Sequence, residues 1–422
     1  MDKGYINKQD RDYLRELAKR QLSYANSPLT EARKKHWYEH NNCKSDKPII
    51  VIETTTFENE ILPPLKCLSP KARIIERDIL RDIINYELIQ DDKVIPDYFT
   101  LYMPIQFKRF DMDFETTRAA DRLGRQVGYT WKYVIQNIEE DLKTLKKSTF
   151  TIQRKPFDLM VNLIEDTVGD ILPVKIKNDS LRWVLSPSAH VVHTLGFEKM
   201  MYGLIDHPDK MHTLYQIITD DILNFLNWQQ TEGLLTLNNY NDYAGAGSYG
   251  FTDELPRSEV SNKTITTYDL WGNFNSQETV SISPGMFKEV IFPYYMKLAE
   301  KFGLIYYGCC EPVNTFWQDC LQYIPNLRKI SISPWCNEEF MGDALRHKIS
   351  HGEKIIYSRK PSPNFIGEGY SFDVNGFKAH IKKTIHAASG IPLEFIYRDV
   401  YTLSNNIGKL HQAITIIRSL TG

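Results

Sequence analysis

The sequence predicts an α/β protein built as a single (β/α)8 TIM barrel over residues 96–422, with an N-terminal helical extension over residues 1–95. Two observations lead to this prediction. Strand-like apolar runs follow one another along the chain, and long amphipathic stretches with helical periodicity lie between many of them. In addition, unusual polar residues come directly after several proposed strands, where a barrel has its catalytic face.

The extension is predicted to be mainly helical. Residues 8–40 are strongly charged and have helical periodicity. Ser69-Pro70 supplies an N-cap followed by proline at the first helical position, which predicts a helix over Lys71–Leu88. We expect this extension to cover one end of the barrel.

The predicted strands of the barrel are short runs rich in β-branched and aromatic residues. They are Phe99–Gln106, Leu181–Leu185, Leu234–Asn238, Tyr268–Trp271, Phe302–Gly308, Lys329–Ser333, Lys354–Ser358 and Leu393–Tyr397. Long amphipathic stretches between them include Asp209–Thr231, Pro284–Lys301 and Asp373–Ala388. Strands that alternate with helices in this way favour a parallel sheet.

Composition limits the classes of partner. The 422 residues include 51 Lys and Arg against 53 Asp and Glu, so the net charge is only −2, and no basic tract interleaves with aromatic residues. Nucleic acid is therefore not expected as a partner. Because the sequence has neither an apolar leader-like segment nor an apolar run of membrane-spanning length, we expect a cytoplasmic protein with no membrane partner. Six cysteines, two of them adjacent, do not form the pattern of a secreted disulfide framework.

The segment Gly308-Cys309-Cys310-Glu311-Pro312 is the strongest indication of function. It follows the apolar run Phe302 to Ile305, so a buried strand is predicted to end with two thiols and a carboxylate. Further along, the predicted strand Lys329–Ser333 ends shortly before a third thiol, Cys336. Thiol and carboxyl groups from two strands are therefore expected at one rim of the barrel.

These groups suggest a metal centre. Zinc accepts thiolate sulfur and carboxylate oxygen, so Cys309, Glu311 and Cys336 are candidate zinc ligands, and Glu311 and Cys310 are candidate catalytic groups. Because side chains alternate along a strand, Cys309 and Glu311 are expected on one face and Cys310 on the other. The alternative is that Cys309 or Cys310 packs as a small buried apolar residue.

Polar and aromatic residues close to other predicted strand ends are candidates for substrate binding. They are Asn238, Asn239, Asp242, Tyr243, Trp271, Tyr307, Trp335 and Arg359. Asparagine amides suit a polar organic ligand, but the same loop is consistent with a turn held by Asx hydrogen bonds. Arg359 is expected to bind an anionic ligand group or to form a salt bridge with an acid such as Asp399. Asp399 is a candidate general base, or the partner of Arg398 in an internal ion pair.

Several segments resemble the uroporphyrinogen decarboxylase-like superfamily. They are Leu304–Pro312, Ile324–Trp335, Tyr357–Pro361, Thr194–Met200, Pro208–Trp228, Glu232–Asn239 and Asp269–Gly272. The resemblance extends over residues 95–420 and implies a single (β/α)8 barrel.

The chain departs from both main activities of that superfamily. Its porphyrinogen decarboxylases have an early Arg-Gln-Ala-Gly-Arg-Tyr loop, whereas this chain reads Phe107-Lys108-Arg109-Phe110-Asp111 after the first predicted strand. Its methylcobamide-dependent methyltransferases hold zinc with a His-x-Cys pair and a late cysteine. Here Tyr307 takes the place of the histidine, Cys309 keeps the cysteine position, and no cysteine follows Cys336.

The resemblance implies a methyltransferase that moves a methyl group, as in O-demethylation, between a small organic substrate and a corrinoid or folate carrier. The expected cofactor is zinc, and the expected partners are a corrinoid-binding protein and a second copy of the chain in a homodimer. The alternative is a lyase that decarboxylates a small carboxylated aromatic or heterocyclic substrate, with Arg359 as the anchor and Asp399 or Glu311 moving the proton. A third hypothesis is a barrel that binds a ligand without reaction.

Overall fold

The protein has a mixed α/β fold centred on a six-stranded parallel sheet. The structure, a computed structural model, describes residues 6–112, 116–120, 126–257 and 264–422. Within these ranges, no helix is both long enough and apolar enough to cross a membrane.

The described strands are two to six residues long, and the described α-helices range from three to 24 residues. The strands are β1 Ile49–Ile52, β2 Phe99–Tyr102, β3 Ile105–Lys108, β4 Thr116–Ala120, β5 Gln126–Trp131, β6 Thr149–Ile152, β7 Val174–Lys177, β8 Tyr243–Gly245, β9 Ser248–Tyr249, β10 Trp271–Phe274, β11 Leu304–Tyr307, β12 Leu327–Ile332, β13 Ile356–Arg359 and β14 Leu393–Tyr397. The α-helices are α1 Lys8–Ala25, α2 Pro28–Asn41, α3 Glu58–Ile61, α4 Pro70–Ile84, α5 Ile138–Asp141, α6 Arg154–Ile164, α7 Pro187–Leu195, α8 Phe197–Asp206, α9 Pro208–Thr231, α10 Pro284–Met286, α11 Phe292–Ala299, α12 Asn314–Trp317, α13 Glu338–Ser350, α14 Asn364–Gly367, α15 Val374–Ala387 and α16 Gly408–Thr421.

The central sheet has the spatial order β1-β14-β13-β12-β11-β10. One face of the sheet, which we call the outer face, carries residues such as Ile330 and Phe395, and these belong to the large apolar core that includes the helices. The opposite face, which we call the inner face, carries Val51 and Ile396, which pack against Trp37 of α2 and Phe251. Because both faces are covered, the strands are buried at almost every position, as is usual for parallel sheets.

The later strands agree well with the sequence prediction. Strands β11, β12, β13 and β14 are confirmed to within a few residues at each end. The predicted strand Tyr268–Trp271 is displaced, because Thr266 and Asp269 form a capping box around a short 3-10 helix and the strand begins only at Trp271.

The earlier predictions are less accurate. Leu181–Leu185 is not a strand, because Asn178 Oδ1 accepts the Ser180 N–H in a turn that leads toward α7. Leu234–Asn238 forms no strand ladder. Phe99–Gln106 divides between β2 and β3, which pair with β7 and β6 in separate two-stranded sheets.

The sequence did not predict β1. This strand lies within residues 1–95 and pairs in parallel with β14, with Ile52 opposite Tyr397. The N-terminal segment therefore contributes a strand to the central sheet, in addition to the helices α1 and α4 that pack together in a separate apolar cluster.

Side chains satisfy the backbone at both edges of the central sheet. At β1, Asp92 Oδ2 accepts the Ile50 N–H at 2.7 Å and Asp91 Oδ2 accepts the Ile52 N–H at 2.8 Å. At β10, Asn238 Oδ1 accepts the Trp271 N–H at 2.8 Å, and Asn238 Nδ2 donates to the Trp271 carbonyl at 3.0 Å. Without these hydrogen bonds, buried backbone N–H and C=O groups at the two edges would be unpaired, which would destabilise the fold.

We predict that Asn238→Ala lowers the free energy of unfolding by about 2 kcal/mol, because the Trp271 N–H and carbonyl lose their partner. Chemical denaturation measures the change. The matched control is Asn224→Ala on the exposed face of α9, which should change stability by less than about 0.5 kcal/mol. Equal stabilities of the two variants would show that Asn238 does not satisfy this edge.

Candidate functional site

The carboxyl ends of the parallel strands bring four ionisable side chains together at one end of the sheet. Glu53 follows β1, Cys309 follows β11, Lys360 follows β13 and Arg398 follows β14. The N–H of Glu53 donates to the Tyr397 carbonyl at 2.9 Å, so the pairing of β1 with β14 continues to the site. This is the edge of a parallel sheet where active sites are usually found.

The Arg398 guanidinium joins a carboxylate to a thiol. Its Nη1 lies 2.9 Å from Cys309 Sγ, and its Nε donates to Glu53 Oε2 at 2.5 Å. The Arg398 and Glu53 side chains are 13% and 24% exposed, and Cys309 is 6% exposed. In such a sheltered place, water screens a cation next to sulfur only weakly, so the thiolate form is favoured.

A second thiol completes this cluster. Cys310 Sγ lies 3.6 Å from Cys309 Sγ and 3.4 Å from Asp399 Oδ2. The expected alternation of Cys309 and Cys310 across a strand is wrong, because β11 ends at Tyr307 and the chain turns at Gly308. Both sulfur atoms therefore point toward each other. We call Glu53, Cys309, Cys310, Arg398 and Asp399 the thiol cluster.

Two effects lower the pKa of Cys309. The larger is the hydrogen bond from Cys310, and the smaller is the positive charge of Arg398. Burial acts in the opposite direction and lies between the two in size, so the pKa is lowered by the two effects together. The same hydrogen bond raises the pKa of Cys310, and burial adds to that rise. The surroundings therefore favour the thiolate at Cys309 and the neutral thiol at Cys310.

The turn that presents Cys309 depends on glycine and on Glu311. Gly308 has φ +97°, and a Cβ there would lie 2.9 Å from the Ser331 Cβ. The buried Glu311 carboxylate accepts the N–H groups of Cys309 at 2.9 Å and Ser276 at 2.8 Å. Glu311 thus holds the turn after β11 against the turn after β10, and both of its oxygens are occupied in doing so.

Strand alternation places Lys360, and not Arg359, with the inner-face groups. Lys360 Nζ donates to Tyr306 Oη at 2.6 Å and to Ser358 Oγ at 2.7 Å. Burial lowers the pKa of Lys360 to about 7. Arg359 points to the outer face, where its guanidinium is buried and donates to Glu338 Oε1 at 3.0 Å.

A small cavity of about 50 Å³ lies beside β10, whose residues Trp271 and Asn273 line it. Its lining includes four of the predicted binding residues, namely Asn238, Asp242, Tyr243 and Trp271. Asp242 forms an ion pair with Lys177 at 2.7 Å, and the indole of Trp271 donates to the Gly250 carbonyl. Tyr243 lies close to the thiol cluster as well as lining the cavity. Burial raises the pKa of its hydroxyl, and the charges of Arg398, Glu53 and Cys309 also act on that pKa.

Arg182 was not predicted and is the most distinctive residue of this cavity. Its guanidinium carbon lies 3.6 Å from the Tyr243 ring centroid and 5.3 Å from that of Trp183. The guanidinium donates no hydrogen bond to the residues that the structure describes, which leaves its donors available to an anion. Arg182 lies in the predicted strand Leu181–Leu185, so the turn that directs its side chain into the cavity was not recognised from the sequence.

The remaining predicted binding residues lie elsewhere. Asn239 donates to the Leu255 carbonyl at 2.6 Å. The buried hydroxyl of Tyr307 pairs with Ser276 Oγ at 2.6 Å. Trp335 is 75% exposed on the surface. The structure therefore does not bring these three side chains, or Arg359, to the cavity or the thiol cluster.

The predicted zinc ligands do not share a common point. Glu311 accepts two backbone N–H groups, and Cys336 Sγ contacts Ser333 Oγ at 3.5 Å and the Glu311 carbonyl at 3.7 Å. Cys309 instead contacts Arg398, whose charge opposes a nearby cation. Across the described ranges, no three His, Cys, Asp or Glu side chains are grouped so as to hold a metal ion. The arrangement fits a thiolate held by arginine better than a zinc centre.

The chain matches no protein-family model and no curated protein. A thiolate beside an arginine, a neutral thiol and a buried amine can provide a nucleophile and can move protons.

We predict that the stability of the wild-type protein relative to Lys360→Met rises with pH between about pH 7 and pH 10. The folded-state pKa of Lys360 is about 7, so over this window the unfolded chain binds more protons at this residue. The slope should reach at most about 1.4 kcal/mol per pH unit. Chemical denaturation at several pH values measures it, with Lys382→Met on the exposed side of α15 as the control. A pH-independent difference between wild type and Lys360→Met would contradict a buried, neutral amine.

Proposed function

We propose that this protein is a methyltransferase that uses Cys309 as the nucleophile for a methyl group carried by a small organic substrate. The observation on which this rests is the 2.9 Å contact between Arg398 Nη1 and Cys309 Sγ at the carboxyl end of the sheet. A thiolate is a strong nucleophile toward a methyl carbon, and a lowered pKa increases the fraction of Cys309 in that form.

The reaction is a displacement at carbon. The Cys309 sulfur forms a bond to the methyl carbon while the bond from carbon to the leaving atom breaks, and the electron pair departs with that atom. An amine that leaves from a quaternary ammonium needs no proton. An alkoxide or phenoxide needs one, and Lys360 is the candidate to supply it because its pKa lies near 7.

A corrinoid or a folate would supply the acceptor that removes the methyl group and restores the thiolate. The cavity of about 50 Å³ is much smaller than a corrinoid or folate ring system. A carrier would therefore have to approach this cavity from outside, as a separate partner protein does.

We propose in addition that the strands close into a complete (β/α)8 barrel and that the chain belongs to the uroporphyrinogen decarboxylase-like superfamily. Two links support closure between β10 and β2. Asn238 bonds to Trp271 at the edge of β10, and the Asn178 amide donates to the Leu234 carbonyl at 2.8 Å, directly after β7. Strand β7 pairs in parallel with β2.

We predict a methyl adduct on Cys309 when the protein is incubated with suitable methyl donors and no carrier. The panel contains methylated amines, aryl methyl ethers and methyl sulfonium compounds, and peptide mass spectrometry locates the adduct. Cys309→Ser should give none, and Arg398→Met should slow its formation by about tenfold or more because the thiolate loses its cation. Cys43→Ser, which changes a half-buried thiol outside the thiol cluster, is the matched control.

Transfer of methyl groups to added cobalamin or tetrahydrofolate by Cys309→Ser protein at the wild-type rate would contradict the role of Cys309. So would the absence of any adduct with a donor that the wild-type protein demonstrably demethylates.

A second candidate function, decarboxylation of a small aromatic or heterocyclic acid, is favoured by Arg182. This guanidinium faces the cavity without a hydrogen-bond partner among the described residues and stacks on Tyr243, an arrangement that suits a planar carboxylate. Carbon dioxide leaves with the bond broken at the carboxylate, and the carbanion takes up one proton. Lys360 is the candidate proton donor.

If the protein is a decarboxylase, Arg182→Gln should lower kcat/KM by about 10- to 100-fold, the effect of losing one charge-assisted interaction. The measurement is release of labelled carbon dioxide from a panel of aromatic acids. Lys199→Gln, which removes a partly exposed cation from α8, is the control. Release of carbon dioxide that is unaffected by Cys309→Ser would favour this reaction over methyl transfer.

A further inference from the structure

Cys309 and Cys310 make an unusual pair because neighbouring side chains in an extended chain point apart. Here the turn at Gly308 brings their sulfur atoms to 3.6 Å. Each sulfur also has a different polar neighbour: Arg398 Nη1 at 2.9 Å from Cys309, and Asp399 Oδ2 at 3.4 Å from Cys310. One thiol is therefore placed next to a cation and the other next to a carboxylate.

We propose that Cys309 and Cys310 form a peroxide-sensitive dithiol that closes to a vicinal disulfide and reopens when a low-molecular-weight thiol reduces it. The inference concerns the pair itself and goes beyond the proposed methyl transfer, since it holds whichever reaction the site catalyses. Oxidation would block Cys309 as a nucleophile, so the same pair would also control activity.

The chemistry proceeds in two balanced steps. The Cys309 thiolate attacks one oxygen of hydrogen peroxide, hydroxide leaves, and Cys309 becomes a sulfenic acid. The Cys310 sulfur then attacks the sulfenic sulfur, the S–S bond forms, and the sulfenic oxygen leaves as water. The two electrons pass from the sulfur pair to peroxide.

The neighbours of the pair match these two steps. The guanidinium of Arg398 favours the anionic sulfur that the first step needs. The carboxylate of Asp399 is the acceptor for the Cys310 proton that the second step releases. Cys310 is half-buried and Asp399 is exposed, so a small oxidant reaches the pair from the open end of the sheet.

Covalent geometry makes the product easy to reduce. Consecutive Cα atoms are about 3.8 Å apart, which is shorter than the ~4.4–6.8 Å that ordinary disulfides span. A strained disulfide has a more oxidising potential and is labile. We therefore expect a reversible switch and not a structural crosslink.

The test is mass spectrometry of the peptide that contains both cysteines, after treatment of the whole protein with hydrogen peroxide. Wild-type protein should lose two hydrogen atoms from this peptide, and dithiothreitol should restore them. In Cys310→Ser, the reaction should stop at the sulfenic acid, which a dimedone probe captures on Cys309. Asp399→Asn should keep the first step and slow the second by about tenfold.

Two controls make the result specific. Cys43→Ser should be oxidised like the wild type, and circular dichroism should show that every variant is folded. Addition of oxygen atoms to the wild-type peptide without loss of two hydrogens would overturn the proposal. An unchanged wild-type peptide under conditions that oxidise a free cysteine peptide would overturn it as well.

Discussion

The contact between Arg398 and Cys309 is the interaction on which the candidate site depends. Burial alone raises the pKa of a thiol, and it does so at Cys67, where the value rises to about 12 with further help from Glu76. Cys309 is also buried, yet its pKa is lowered, because Cys310 donates a hydrogen bond and Arg398 supplies positive charge. The contrast shows that the surroundings of Cys309 favour a reactive thiolate.

The fold holds this arginine in place through the pairing of the first strand with the last. Glu53 follows β1 and Arg398 follows β14, so the parallel pairing of these strands sets the two side chains beside each other. Deeper on the same face, Lys329 donates to Glu394 at 3.0 Å, with both side chains fully buried. The inner face therefore carries polar layers that exclude bulk water below the site, which strengthens the electrostatic interactions above it.

The sequence predicted the parts of the fold that local patterns determine. The late strands are continuous apolar runs, and Gly308 to Glu311 correctly marked the end of β11. The sequence did not predict β1, which is a four-residue strand between charged helices. It also did not predict the turn before Leu181, which depends on the side chain of Asn178. Asn238 was expected to bind substrate, but it also completes the edge of β10, a role that only the position of Trp271 reveals. Arg359 was predicted at the site, where the structure instead places Lys360. Both faces of β13 are buried, so the pattern of apolar residues does not show which face points toward the site.

The most direct measurement is the ultraviolet titration of the Cys309 thiolate, taken as the difference between wild-type and Cys309→Ser protein across a range of pH. We expect a midpoint below the value of an ordinary cysteine, which is about 8.5, and a higher midpoint in Arg398→Met protein. A midpoint at or above the ordinary value that is unchanged by Arg398→Met would contradict it.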